Sequence, residues 1–217
     1  GHAAMHLSVE PGDGSKLVSA IAVRSTMLEK GVHSDSDRKT AVVVFERGEL
    51  EVWDTSYPSS SSSSSSAAPK RSYCGSIASA DYAVQQSGKE NAAKPFRITC
   101  AAISVDSKTL CAGTQDGNLL FLFDLHKLEP KVCHTIPGPS FLHNVVSFNA
   151  DDTLIAVGGL LQEQDDGIVF VLDAKTLAKK YSIPRKSSIL AVTFGCSGLY
   201  FACGGTGMSI GLYVSLS

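Results

Sequence analysis

The stretch Ile98 to Asp124 reads ITCAAISVDSKTLCAGTQDGNLLFLFD and contains three short apolar runs separated by two polar turns. The second turn is built on Asp116-Gly117, a dipeptide that tolerates the positive φ angles of tight hairpins. Asp124 ends the third run. The pattern predicts three consecutive antiparallel strands, and a recurrence of this unit would make the chain a repeat protein.

The same pattern recurs twice further along the chain. FNADDTLIAVGG begins at Phe148 and FGCSGLYFACGGTGM begins at Phe194, and both align with SVDSKTLCAGTQDG from Ser104. Each of the three has an apolar strand, a polar turn, a strand rich in small residues and a turn that contains glycine. An earlier hairpin is predicted over Thr40–Glu46 and Glu49–Asp54, where β-branched residues and alternation are typical of strands.

The ends of the third strands carry a resemblance to a known family. Trp53-Asp54 matches the dipeptide that names the WD-repeat β-propellers, and Phe123-Asp124 and Leu172-Asp173 are weaker versions of it. The alignment assigns Ser215 to this position in the last unit. Thr114 to Gly117 is similar to the small-x-Asp-Gly turn of the same family.

The chain therefore resembles a WD-repeat β-propeller from about residue 17 to residue 217, apart from a serine-rich insertion. The resemblance implies an all-β fold made of four-stranded blades of roughly 40–45 residues each. Six residues are expected to stabilise turns and blades and not to contact partners. They are Trp53, Asp54, Asp116, Gly117, Asp124 and Asp173.

The units add up to a partial or incomplete propeller of about four four-stranded blades, the last of which lacks its outermost strand. Such a chain is either a part of a longer protein, a half-propeller completed by another chain, or a small closed ring. In the last case Met5–Val9 would supply the missing strand. We expect the partial propeller.

The predicted segments follow from these units and from composition. They are 1–16, an N-terminal segment with a candidate closing strand; 17–56, blade 1; 57–96, a serine-rich disordered insertion; 97–139, blade 2; 140–186, blade 3; and 187–217, the incomplete blade 4. The insertion contains eight consecutive serines and has few side chains with which to build a core, although Tyr73–Ile77 is a candidate strand inside it.

Composition limits the classes of function. Hydrophobic residues make up 43% of the chain, which suffices for a packed core, and the net charge of −2 argues against an electrostatic nucleic-acid binder. The sequence predicts no membrane span and no secretory signal. Six cysteines without a CxxC pair are typical of free thiols, so we expect an intracellular location, cytoplasmic or nuclear.

The sequence offers little catalytic chemistry. The histidines and cysteines show no metal-ligand spacing, and Gly204 to Gly207 lacks the Lys-Ser/Thr ending of a phosphate-binding loop, so it is expected to be a β-turn. No nucleophile-elbow motif is present. We therefore expect no enzymatic activity, no cofactor and no metal.

Two features are candidates for partner binding. The first is a basic cluster around one predicted outer strand, which would suit an acidic partner but is also typical of an edge strand protected by lysines. The cluster consists of Lys175, Lys179, Lys180, Arg185 and Lys186. The second is the serine tract, as a phosphorylated loop or as a plain linker.

The sequence thus predicts a WD-repeat-like scaffold for protein–protein interaction within a multi-subunit complex, which binds other proteins and does not catalyse a reaction. The alternative is a regulatory propeller domain of a larger protein, such as a GTPase exchange factor or the substrate-recruiting module of a ubiquitin ligase.

Overall fold

A computed structural model describes residues 18–25, 39–54, 70–77, 97–115, 118–136, 140–195, 200–207 and 209–214. These residues form fifteen strands and no helix, so no helix among them could cross a membrane. The strands are β1 (Val18–Ser25), β2 (Lys39–Phe45), β3 (Glu49–Asp54), β4 (Lys70–Ser76), β5 (Ile98–Ile103), β6 (Thr109–Thr114), β7 (Leu119–Asp124), β8 (Glu129–Thr135), β9 (Phe141–Phe148), β10 (Leu154–Leu161), β11 (Asp166–Asp173), β12 (Lys179–Arg185), β13 (Ile189–Phe194), β14 (Tyr200–Gly205) and β15 (Gly211–Val214).

The strands form four antiparallel sheets in chain order: β1–β4, β5–β8, β9–β12 and β13–β15. In each sheet every strand pairs with the next one along the chain, as the short turns between the apolar runs predict. The all-β prediction is confirmed. Three sheets have four strands and the fourth sheet has three, and the candidate closing strand Met5–Val9 lies outside the described residues.

The first sheet extends beyond the predicted end of its unit at residue 56. Lys70–Ser76, inside the predicted serine-rich insertion, forms β4 and pairs with β3. Tyr73 packs against Phe123 of the second sheet, with 5.9 Å between ring centroids, and Ile77 is fully buried. These two apolar side chains hold the strand in place, so the boundary at 56 and the assignment of all of 57–96 to a disordered insertion are wrong. The eight serines lie outside the described residues.

The β10–β11 hairpin is longer than its sequence predicts. The sequence predicts a loop over residues 160–166, but β10 continues to Leu161 and β11 begins at Asp166. Gly159 allows the extension, because a Cβ there would lie 1.9 Å from the carbonyl oxygen of Leu142 on the neighbouring strand.

All four sheets have the same register between their second and third strands. The residue that ends the third strand pairs with the first residue of the second strand in the last three sheets and with its second residue in the first sheet. These pairs are Thr40 with Asp54, Thr109 with Asp124, Leu154 with Asp173 and Tyr200 with Val214. The fourth pair assigns Val214 to the aspartate position, one residue before the predicted Ser215.

The first three sheets each pack one face against the next sheet along the chain. β5 lies beside β1, β9 beside β5 and β13 beside β9, and an apolar core fills each of the three gaps. We call the face turned towards the following sheet the leading face and the other the trailing face. Equivalent residues of the second strands lie on the leading face: Val42, Cys111 and Ala156. Their neighbours Leu110, Ile155 and Phe201 lie on trailing faces.

Polar side chains also tie neighbouring sheets together. The Asp152 carboxylate, in the β9–β10 turn, accepts hydrogen bonds from the backbone N–H of Val105 at 2.6 Å and of Asp106 at 2.8 Å, both in the β5–β6 turn. The bonds connect the second and third sheets through the turns that join the first two strands of each sheet. Charge-assisted hydrogen bonds of this kind are among the stronger ones.

Candidate interaction surfaces

Asp124 and Asp173 have the same local role in two sheets. Each ends a third strand, and its carboxylate accepts hydrogen bonds from the next turn: from the backbone N–H of His126 and Lys127 at 2.9 Å each, and of Thr176 at 3.0 Å and Lys175 at 3.1 Å. For Asp173 these bonds lower the pKa of the carboxyl below its usual value. For Asp124 partial burial works against the bonds, but the net shift of the pKa is also downward.

Trp53 occupies the same register position on β3 as Phe123 on β7. Its ring is half-buried, and its indole Nε1–H donates to the Glu51 carboxylate at 3.2 Å. Arg71 on β4 donates to the same carboxylate at 2.9 Å, which pairs the charge of Glu51 in its buried position. The side chains of Trp53, Glu51 and Arg71 therefore bind one another across the first sheet. Asp116 and Gly117 lie outside the described residues.

A cleft of about 270 Å³ lies where the first two sheets meet, at the end of β3. Asp54, Asp106, Lys108 and His126 are among the residues that line it, so it carries both signs of charge. Lys108 Nζ lies 3.4 Å from Asp106, whose carboxyl also accepts from the Ser104 hydroxyl at 2.7 Å. The lining thus contains two carboxylates and one lysine ammonium group, and the ammonium group is paired with one of the carboxylates.

The basic cluster divides into two parts. Lys175, Lys179, Lys180 and Lys186 are exposed along β12 and its flanking turns, on the outer edge of the third sheet. Lys180 Nζ lies 3.6 Å from the Asp173 carboxylate, and Lys179 Nζ lies 6.0 Å from the centre of the Phe170 ring.

Arg185 differs from the lysines because it is half-buried and binds side chains of the fourth sheet and its margin. Its guanidinium donates to the Tyr213 hydroxyl at 2.8 Å and to the Ser209 hydroxyl at 2.8 Å, and so joins the third sheet to the fourth. Sequence spacing groups Arg185 with the lysines, but its guanidinium is engaged in a contact between two sheets.

The fourth sheet carries an apolar surface that the sequence pattern does not reveal. Among the described residues, the large hydrophobic side chains that are exposed all belong to this sheet or to its margin. They are Leu190, Tyr200, Ile210, Leu212 and Val214. The alternation along β15 indicates that Leu212 and Val214 share a face, but it does not say whether another sheet covers that face.

Buried thiols and a buried imidazole lie between the second and third sheets. Burial raises the pKa of the Cys100 thiol to about 12 and lowers the pKa of His143 to about 4. His143 Nδ1 lies 2.6 Å from the carbonyl oxygen of Thr114 and 3.1 Å from its backbone nitrogen, and Nε2 has no hydrogen-bond partner among the described residues. Among the described residues no three His, Cys, Asp or Glu side chains are arranged to hold a metal ion.

Comparison with protein-family models and with curated proteins finds no match for the chain. The fold therefore defines only a class of protein: an all-β protein made of successive antiparallel sheets with a common register. Membership of the WD-repeat family remains a prediction that rests on the residue pattern.

Proposed function

We propose that the chain is a protein-interaction scaffold, built as an incomplete propeller, which acts by binding and not by catalysis. The shared register supports the propeller arrangement, because each sheet begins with a strand that lies beside the first strand of the next sheet. Stacked four-stranded sheets with their first strands innermost are the design of propeller blades. Rigid sheets of this kind hold surface side chains in fixed positions for a partner.

The observation that carries the proposal is the lysine surface, formed by Lys175, Lys179, Lys180 and Lys186. The four ammonium groups project from one edge strand and its turns, on a chain whose net charge is −2. Lysines along an edge strand oppose strand-to-strand pairing, so a partner would be held by its acidic side chains and not by an added strand. Such a charged surface speeds the encounter with an acidic partner and makes binding sensitive to salt.

Affinity capture with wild-type and charge-reversed chains tests the proposal. The variant Lys175→Glu/Lys179→Glu/Lys186→Glu keeps Lys180, which pairs with Asp173. A partner identified by mass spectrometry, purified and measured against both chains should bind the variant at least about tenfold more weakly, and raised salt should weaken its binding to the wild type.

Lys131→Glu is the matched control, because Lys131 is exposed on β8, the corresponding outer strand of the second sheet. It should leave the affinity unchanged. Equal binding of wild type and triple variant, with both chains folded by circular dichroism, would contradict the lysine surface. A chemical turnover of the bound partner would contradict a scaffold that only binds.

A further inference from the structure

The β5–β6 turn of the second sheet and the β9–β10 turn of the third sheet have the same backbone structure. Their fourth residues, Ser107 and Asp152, have positive φ angles of 59° and 58°. The N–H of Ser107 donates to the Ser104 carbonyl oxygen at 3.0 Å, and the N–H of Asp152 donates to the Asn149 carbonyl oxygen at 3.2 Å. Because the two central residues of each turn lack a positive φ, both are type I turns.

An aspartate stabilises both turns in the same way. Asp106 accepts a hydrogen bond from the N–H of Lys108 at 3.0 Å, and the equivalent Asp151 accepts one from the N–H of Thr153 at 3.1 Å. The central N–H groups of the two turns are therefore equivalent. They belong to Val105 and Asp106 in the second sheet and to Ala150 and Asp151 in the third.

In the second sheet these two N–H groups bind a carboxylate. Val105 donates to the carboxylate of Asp152 at 2.6 Å and Asp106 donates to it at 2.8 Å. The carboxylate of Asp106 lies on the same turn and does not prevent these bonds. The turn is thus a carboxylate-binding site whose occupant comes from the next sheet along the chain.

In the third sheet the equivalent N–H groups do not bind a carboxylate of another described residue. Ala150 and Asp151 are both exposed, and no described residue accepts a hydrogen bond from the N–H of Ala150. The N–H of Asp151 contacts its own carboxylate. The third sheet therefore presents to the surface the pair of N–H groups that is occupied in the second.

The unit of the fourth sheet has no carboxylate at the position from which Asp152 reaches back. The N–H of Gly195 donates to the carbonyl oxygen of Tyr200, as the first residue of the β9–β10 turn does to Leu154, and this bond aligns the two units. The residue at the position of Asp152 is then Gly198, which lies outside the described residues. Since glycine has no side-chain oxygen, it cannot supply the carboxylate.

The open pair of N–H groups lies at the same end of the third sheet as part of the lysine surface. The N–H of Ala174 donates to the Thr153 carbonyl oxygen at 2.9 Å, which joins the β11–β12 turn to the β9–β10 turn. Lys175 follows Ala174 directly, and its side chain is exposed. An acidic partner that the lysines attract therefore arrives beside the two N–H groups.

We infer that the N–H groups of Ala150 and Asp151 bind a side-chain carboxylate of an acidic protein partner, as the equivalent groups of the second sheet bind Asp152. The inference rests on the proposed function, because it adds a directional contact to the lysine surface. Lysine ammonium groups attract negative charge from many directions, whereas two N–H groups in a turn accept a carboxylate in one position. The pair thus selects how the partner is placed.

A titration of the ¹⁵N-labelled chain with a short poly-aspartate peptide, blocked at both ends, tests the inference by nuclear magnetic resonance. The amide proton signals of Ala150 and Asp151 should move downfield, because a carboxylate deshields the protons that it binds. Ala150→Pro should raise the dissociation constant of the peptide about tenfold, since it removes one charge-assisted hydrogen bond. Proline is favoured at this position of a type I turn, so the variant should keep the fold.

Ala150→Val is the matched control, because it introduces the residue that the second sheet has at this position and keeps the N–H. It should bind the peptide as the wild type does. Sodium chloride at the same concentration of charge should leave both amide signals in place. Equal shifts with chloride and with the peptide would overturn a site for carboxylates.

The lysine variant separates the failure of this site from the failure of the proposed function. If Lys175→Glu/Lys179→Glu/Lys186→Glu weakens binding but Ala150→Pro does not, the N–H site is overturned and the lysine surface stands. If only Ala150→Pro weakens binding, the lysine surface fails and the site stands. Unmoved signals of Ala150 and Asp151 at saturating peptide would overturn the site whatever the variants do, and a peptide that does not bind the wild type would overturn both.

Discussion

At the scale of the residue, the spacing of polar side chains in the sequence does not show which of them are buried, which are exposed and which bind another sheet. His143 is fully buried, its ring packs edge-on against Phe141 at 4.8 Å, and its Cβ approaches Gly113. The sequence shows that His143 lacks a metal-ligand spacing, but it does not show this burial, because the core that buries the ring comes from two sheets. Likewise Arg185 and Lys186 are neighbours in sequence, yet Arg185 binds Tyr213 and Lys186 is exposed.

Burial of His143 predicts a loss of stability in acid. The pKa of His143 is about 4 in the folded chain and near 6.5 when unfolded, so between these values the unfolded chain takes up the proton and the folded chain does not. The full contribution to stability is present above about pH 6.5 and is lost as the pH falls towards 4. Between pH 7 and pH 5 the loss should be about 2 kcal/mol.

Urea unfolding of wild type and His143→Leu at the two pH values measures this contribution. The difference in unfolding free energy between pH 7 and pH 5 should be smaller in the variant by that amount, because the other titrating groups contribute to both chains. Equal differences in the two proteins would show that His143 takes up its proton equally easily in the folded state.

At the scale of the element, strands were predictable where turns bound an apolar run, and less so elsewhere. The Asp-Gly and Arg-Gly turns indicate the hairpins of the first two units, and their register follows from alternation. β4 was harder to place, because only Tyr73 and Ile77 of its surroundings are large and apolar. Whether a leading face is covered was not predictable, since that depends on a sheet that follows and not on the strand itself.

Gly158 on β10 and Gly204 on β14 occupy the same register position, four residues after Leu154 and Tyr200, yet they predict different responses to the same substitution. Gly158→Val should lower the unfolding free energy by roughly 1–3 kcal/mol, because the side chain would displace Ile189. Gly204→Val should stay within about 0.5 kcal/mol of the wild type, because no atom of the described residues lies within 4 Å of the added Cβ.

Denaturant unfolding of the wild type and the two variants gives both values. If the two variants lose equal stability, the fourth sheet is covered in the folded chain, or the third and fourth sheets do not pack as described.

At the scale of the whole molecule, the sequence predicts repeated units, and the structure adds how they fit. The three stretches that align with one another, together with the hairpin at Thr40–Asp54, predict one unit for each of the four antiparallel sheets. The contacts between sheets could not be predicted from the sequence, because they join residues far apart along the chain. One example is the pairing of Asp152 with the amides of Val105 and Asp106. For the same reason the lysine surface is visible in the sequence and the apolar face of the fourth sheet is not.

The central claim is that one register repeats through the sheets and that the leading faces of the first three sheets each pack against the next sheet. A nuclear Overhauser spectrum of the chain with labelled isoleucine methyl groups tests this most directly. The methyl groups of Ile189, the first residue of β13, should show strong cross-peaks to the α-protons of Gly158, on β10. Cross-peaks from Ile189 to residues of the first or second sheet instead, with none to Gly158, would contradict the repeated packing.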